Sequence, residues 1–240
     1  MMHIGIGITT HNRREQFLEM LSGWRRYRPD DCRIVVVDDG SDIPVPPIDG
    51  VEVLRNDIPL GISAAKNRTL SALRDCEHVF LSDDDVAPVS ADWWRPYVES
   101  RHEHMSLTFC TDVSGKRISH DHWLMGHLDD GTAIWSSPNG CLLYMTKNVI
   151  DTVGGYDQDL YPVCGAEHRD YSSRVFYAGL TQCEFMDVPG SLELFRVLDR
   201  EGVASSTTED TRRAHYGPNT DTYLRLRGRA TKVPIRPIDD

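Results

Sequence analysis

Three aspartates in a row, Asp83, Asp84 and Asp85, follow the apolar run His78-Val-Phe-Leu81 and Ser82 in this 240-residue chain. Carboxylates two positions apart can meet one hard divalent cation and its water shell. Mg²⁺ or Mn²⁺ held in this way completes its sphere with substrate phosphate oxygens. The same triplet suits a helix cap or a solvated turn. A second acidic pair, Asp38 and Asp39, ends the run Cys32-Arg-Ile-Val-Val-Val and precedes Gly40 and Ser41. A carboxylate there can accept hydrogen bonds from a base N–H or from ribose hydroxyls, and it would also serve as a turn cap. Gly61 followed by Lys66, Asn67 and Arg68 sets a tight turn ahead of basic side chains, which suit a diphosphate or a solvated helix face. Thr9-Thr10-His11-Asn12-Arg13 ends another apolar segment.

These clusters need elements that bring them together. Ile4 to Thr10 alternates small and β-branched residues, and Arg13 to Arg26 spaces Phe17, Leu18, Leu21 and Trp24 on one helical face, which predicts strand then helix. Cys32 to Asp38 is a continuous apolar run of the kind buried on both faces of a parallel sheet. Val51 to Leu54 predicts a third strand, Ile62 to Leu73 a helix with Ala65, Leu70 and Leu73 on its apolar stripe, and His78 to Leu81 a fourth strand. The alternation is that of an open βαβαβ sheet. Ligands of such sheets bind beyond the carboxyl ends of the strands, so the three polar clusters belong to one crevice. Farther along, Cys141 to Met145 predicts another strand, Lys147 to Val153 a short helix, and Gly154-Gly155-Tyr156-Asp157 a turn. Asp170 to Gly179 reads as a helix with a glycine C-cap. Residues 89–136 are less regular, and from Pro218 the chain reads as an extended tail.

With 40% hydrophobic and 26% charged residues, the composition excludes disordered and fibrous classes. No apolar run approaches the roughly 20 residues of a membrane span, and the N-terminal apolar segment precedes any basic residue, the reverse of a signal peptide. A soluble, cytoplasmic protein is expected. Its six widely spaced cysteines, at 32, 76, 110, 141, 164 and 183, read as buried free thiols. The formal charge of -11 argues against a protein that coats nucleic acid. That charge is uneven, for residues 211–240 carry seven basic and three acidic side chains. The stretch Arg212 to Arg236 is therefore expected to close over a bound anion as a mobile lid, or to recruit an anionic acceptor.

Taken in order, the motifs resemble those of the GT-A glycosyltransferases, family 2 branch. Thr9 to Arg13 is similar to the family's opening motif, with His11 where a tyrosine is usual. Val37-Asp38-Asp39-Gly40-Ser41 resembles its nucleoside-binding turn, and Asn56 to Asn67 its glycine-containing segment, with Lys66 replacing arginine. Leu81 to Pro88 resembles the DXD metal motif. Gly154 to Asp157 and Gly165 to Arg174 resemble the family's GGFDE and GEDxELxxR segments. The correspondence runs from about residue 3 to residue 180.

The resemblance implies an α/β, GT-A (Rossmann-like nucleotide-diphospho-sugar transferase) three-layer fold with a mixed central sheet. One domain would span 1–217, with a nucleotide-sugar half at 1–88 and an acceptor half at 89–217, followed by the basic tail or lid at 218–240. It implies transfer of a sugar from a nucleotide-sugar donor to a hydroxyl acceptor, with Mn²⁺ or Mg²⁺ as cofactor and inversion expected. Thr10, His11, Arg13, Asp38, Asp39, Gly61, Lys66, Asp83 and Asp84 would bind the donor. Asp85, Asp83 and, by its order in the chain, His215 would hold the metal. In inverting relatives the acid after the Glu167 equivalent is the general base. Here that place is His168, so Asp170, Glu167 and His168 all stand as candidates.

Other readings compete. A nucleotidyltransferase would show a glycine-rich basic loop after the first strand, where this chain has Thr-His-Asn-Arg-Arg. A retaining transferase, or a relative that binds nucleotide sugars without catalysis, fits the departure at His168. The histidines at 102, 104, 120, 122 and 127 invite a zinc reading, with no cysteine spacing to support it. Trp123 and Trp135 would either stack on an acceptor sugar or pack in the core. The acceptor class stays open among protein, glycan and modified nucleic acid, as does the oligomeric state.

Overall fold

The computed structural model describes residues 3–109, 123–201 and 208–236. The first part of the chain forms β1 (Ile4–Thr10), α1 (Arg14–Arg26), β2 (Cys32–Asp39), β3 (Glu52–Asn56), α2 (Ile62–Ala72) and β4 (His78–Asp83). The second continues through β5 (Val86–Pro88), α3 (Arg95–Val98), β6 (His104–Ser106), β7 (Leu124–His127), β8 (Ala133–Trp135), β9 (Leu142–Thr146) and α4 (Lys147–Val153). It ends with α5 (Glu167–Tyr177), β10 (Met186–Asp187), α6 (Ser191–Leu194), β11 (Phe195–Val197) and α7 (Glu209–Leu226).

The central sheet has the order β3-β2-β1-β4-β9-β6. Its first four strands are parallel, and β9 pairs antiparallel with both β4 and β6. It is therefore mixed, as expected. Two small antiparallel sheets, β10-β8-β7 and β11-β5, flank it.

The period of two explains the layers. Ile4, Ile6, Ile8, Ile34, Val36 and Phe80 face one cluster with Phe17, Leu21 and Trp24 of α1. Val35, Val79 and Leu81 face the other, with Leu70 of α2, Val149 and Ile150 of α4 and Tyr171 of α5. On that second face β1 carries Gly5 and Gly7. A Cβ at Gly7 would lie 2.1 Å from Thr69 Cγ2, so the missing side chain is what lets α2 sit close to the strand. On the first face Trp24 meets Trp93 edge to face at 5.1 Å. Truncating a buried aromatic of this kind costs about 3–5 kcal/mol.

Several expectations are corrected. The segment from Pro218 is not an extended tail, because α7 runs through Pro218 to Leu226. Packing outweighs the proline penalty here: Tyr223 is fully buried and its hydroxyl meets Ser173 and Glu184. The basic side chains that follow are engaged. Arg227 pairs with Glu184 and Arg236 with Asp159. Val233 bridges Gly154, donating to Val153 O and accepting from Gly155 N. Of the cysteines, Cys76 is a buried free thiol and Cys141 is buried, while Cys32, Cys164 and Cys183 are free but half-buried; Cys110 lies outside the described residues. His104 is spent on Tyr144 O and Ser172, and His102 on Asp130. His127 is exposed, and His120 and His122 lie outside the described residues. Trp123 and Trp135 pack in the cluster with Tyr161 and Tyr223. Among the described residues no helix is long and apolar enough to cross a membrane.

Candidate active site

A crevice of about 470 Å³ opens at the carboxyl ends of β1, β2 and β4 and is closed on its far side by the start of α5 and α7. Thr10, His11, Arg13, Asp39, Gly61, Asp83, Asp84, Asp85 and Glu167 all line it. The strand ends thus converge as the topology requires.

At one end Asp39 accepts from Asn56 Nδ2 at 2.7 Å, Leu60 N at 2.9 Å and Gly61 N at 2.9 Å. Its own carbonyl lies 2.7 Å from His11 Nδ1. A carbonyl can only accept, so Nδ1 carries the proton and Nε2 faces the Asn12 amide at 3.3 Å. Gly61 has φ +90, and a Cβ there would lie 1.7 Å from Pro162 O. The turn can therefore be made only by glycine.

In the middle, Thr10 Oγ1 donates to Asp84 at 2.7 Å, and Arg13 Nη1 reaches both Asp84 and Asp85 at 3.0 Å. Burial pushes the Asp84 carboxyl up to about 7 against the pull of Arg13. Burial also raises Asp83, to about 6, although Lys66 opposes it. Asp85 Oδ1 is buried with no hydrogen-bond partner among the described residues. The carboxylates of Asp83, Asp84, Asp85 and Glu167 thus outnumber the cations Arg13 and Lys66 paired with them. An unsatisfied carboxylate oxygen in an acidic surround fits a divalent cation. Among the described residues no three His, Cys, Asp or Glu side chains converge on one point. Substrate oxygens would have to supply the rest of such a sphere.

At the other end stands Glu167, the first residue of α5. The preceding Ala166 holds a left-handed backbone, φ 72. That conformation costs an alanine about 1–2 kcal/mol and turns the helix start toward the crevice. Burial opposes ionisation of Glu167, but His168 Nδ1 at 3.2 Å and the charge of Lys66 outweigh it and hold the carboxyl down at about 2.

Five expected site residues lie elsewhere. Asp38 is fully buried, accepting from Ser41 N, Val45 N and Arg55. It is a staple for the turn, and of the pair only Asp39 lines the crevice. Lys66 lies behind the crevice, 1% exposed, because it sits on the face of α2 turned to the sheet and not to a diphosphate. His168 is buried beneath Gly140, where a Cβ would be 2.3 Å from its ring. Asp170, one turn along α5, pairs with Arg174 Nε at 2.8 Å and lines a separate cavity of about 340 Å³. His215 sits one turn beyond Thr211 on α7 and is not among the lining side chains. Conversely, Val163, Cys164, Thr208 and Thr211 line the crevice. They carry no local signal: Val163 and Cys164 reach it through the loop before α5 that packs on the Gly61 turn, and Thr208 and Thr211 through the docking of α7.

The sequence matches the model of "Glycosyl transferase family 2" over residues 6–145, more than half of the chain. The chain belongs to that family. Its GT-A fold is shared with solved glycosyltransferases at low identity. They include mannosyltransferase PcManGT from Pyrobaculum calidifontis in complex with GDP-Man and Mn²⁺ (TM-score 0.53, 17% identity, 74% of this chain and 53% of that one). Also similar are GalNAc-T7 with UDP, GalNAc and Mn²⁺ (0.60, 14%, 78% and 42%) and residues 1–349 of S. aureus TarS in complex with UDP (0.58, 14%, 74% and 56%). The family 2 chain spans about half the length of these structures. No curated protein matches its sequence.

Proposed function

We propose that this family 2 domain transfers a sugar from a nucleotide-sugar donor to a hydroxyl acceptor, using Mn²⁺ or Mg²⁺ held by Asp83 and Asp85. The observation that carries the reading is the single crevice in which Asp39, the aspartate triplet and Glu167 follow one another. Nucleotides with Mn²⁺ in two of the similar structures support it. His11 and Asp39 would receive the nucleoside. Thr10 and Arg13 would fix Asp84 and Asp85. A bound divalent cation would offset the charge that develops on the departing diphosphate. Glu167 would take the proton from the acceptor hydroxyl as that oxygen attacks the sugar carbon, with His168 fixing the carboxylate and Asp170 too far along the helix to take part. A single displacement of this kind inverts the anomeric centre.

Thermal unfolding with nucleoside diphosphates and nucleotide sugars, with and without Mn²⁺, tests the assignment. A ligand at a hundred times its Kd stabilises the folded state by about 2.7 kcal/mol, or roughly 5–10 °C in this size range. The shift should require Mn²⁺ or Mg²⁺ and should vanish in Asp85→Ala. A metal-dependent shift and turnover that survive Asp85→Ala would refute the metal assignment. Binding without turnover across a wide acceptor panel would favour a non-catalytic role.

A further inference from the structure

Lys66 is buried, charged and absent from the crevice surface. An ammonium so placed needs strong partners, because desolvation costs several kcal/mol. Its Nζ lies 3.1 Å from Asp83 Oδ1 and 3.3 Å from Gly140 O, and 5.6 Å from the centre of the Tyr156 ring. Asp83 and then Glu167 are the charges that act most strongly on it. These partners come from distant parts of the chain: the end of β4, the turn before β9, the Gly-Gly-Tyr turn and the start of α5. Gly140 also carries the ring of His168 against its Cα, and that ring meets Glu167. Contacts therefore run in a chain from Asp83 through Lys66 and Gly140 to His168 and Glu167.

We infer that Lys66 is a positioning residue, tying the cation-side carboxylate Asp83 to the acceptor-side carboxylate Glu167 so that the two ends of the crevice keep one geometry. The inference rests on the function proposed above. Asp83 and Glu167 repel each other across the crevice floor, and a cation that attracts both offsets that repulsion. The four-carbon stem reaches through the layer between α2 and the crevice, and the compact ammonium divides its donors between a carboxylate and a carbonyl.

Two measurements test it. In unfolding experiments Lys66→Met should lower Tm by roughly 6 °C or more, the cost of leaving buried charge unpaired. Most of that loss should return in Lys66→Met/Glu167→Gln and in Lys66→Met/Asp83→Asn. Losses that simply add would overturn the coupling. In Mn²⁺-dependent turnover of UDP-glucose and GDP-mannose, Lys66→Met should cut kcat about 100-fold, the cost of roughly 1 Å of misplacement. Donor KM should stay within about threefold, and Lys66→Arg should recover at least about tenfold in kcat by keeping a cation there. An unchanged kcat per folded molecule, or equal losses in the Met and Arg variants, would reduce Lys66 to a packing residue. A wild-type protein that turns over no nucleotide sugar would refute the proposed function, and the stability cycle would still decide the coupling.

Discussion

Within one turn of α5, Glu167 and Asp170 look interchangeable as carboxylates and are separated by what they touch. Glu167 faces the crevice and is held by His168, whereas Asp170 is consumed by Arg174. Arg174 also donates to Val153 O at 2.9 Å and Gly155 O at 2.7 Å. Glu167→Gln should therefore lower kcat by about 10²–10⁴ while leaving Mn²⁺-dependent nucleotide affinity within a few-fold. Asp170→Asn should instead cost about 3–5 kcal/mol of stability, by stranding a buried guanidinium, with turnover per folded molecule unchanged. Kinetics and denaturation on the same pair of variants separate the two roles, and full turnover in Glu167→Gln would remove it as the base.

Among the elements, β1 shows how much was legible in advance. Its alternation, the continuous run of β2 and the acidic ends of β2 and β4 were sufficient to expect parallel strands and a shared crevice, because burial in a sheet acts on consecutive residues. Gly7 was readable only as a small residue in a strand, since the methyl group it avoids belongs to Thr69, sixty-two positions away. Gly7→Ala should cost about 1–3 kcal/mol through overpacking against that methyl, and adding Thr69→Ser, which keeps the hydroxyl bond to Ala65 O, should recover most of the loss. An additive double variant in urea titrations would show that the strain lies elsewhere. The same logic explains Lys66 and Asp38: helix and strand periods predict the elements, while the face a single polar residue shows depends on partners far along the chain. The helix through Pro218 was hidden for a related reason, as a local rule against proline was outweighed by the docking of Tyr223.

The whole molecule buries some of its acidic side chains in its interior. Away from the crevice, Asp187 is fully buried, and burial pushes its carboxyl up to about 7 against hydrogen bonds from Ser191, Val188 and Tyr97. The folded chain thus keeps a proton that the unfolded chain releases near its ordinary value of 3.8. This contribution is complete below about pH 4 and is lost as pH rises through 7, by roughly 4 kcal/mol in total. The stability of Asp187→Asn relative to wild type should therefore rise between pH 4 and pH 8; a constant difference in denaturant midpoints would refute the burial argument. The C-terminal stretch has a different consequence. Val233 and the Thr231 carbonyl are fastened to the turn and helix that present Glu167, and Thr211 supplies a wall of the crevice. Since a ribosome delivers residues in order, a nascent chain would expose every donor-side aspartate well before the wall and its fastening emerge, so the pocket cannot close until the residues beyond 208 have left the ribosome.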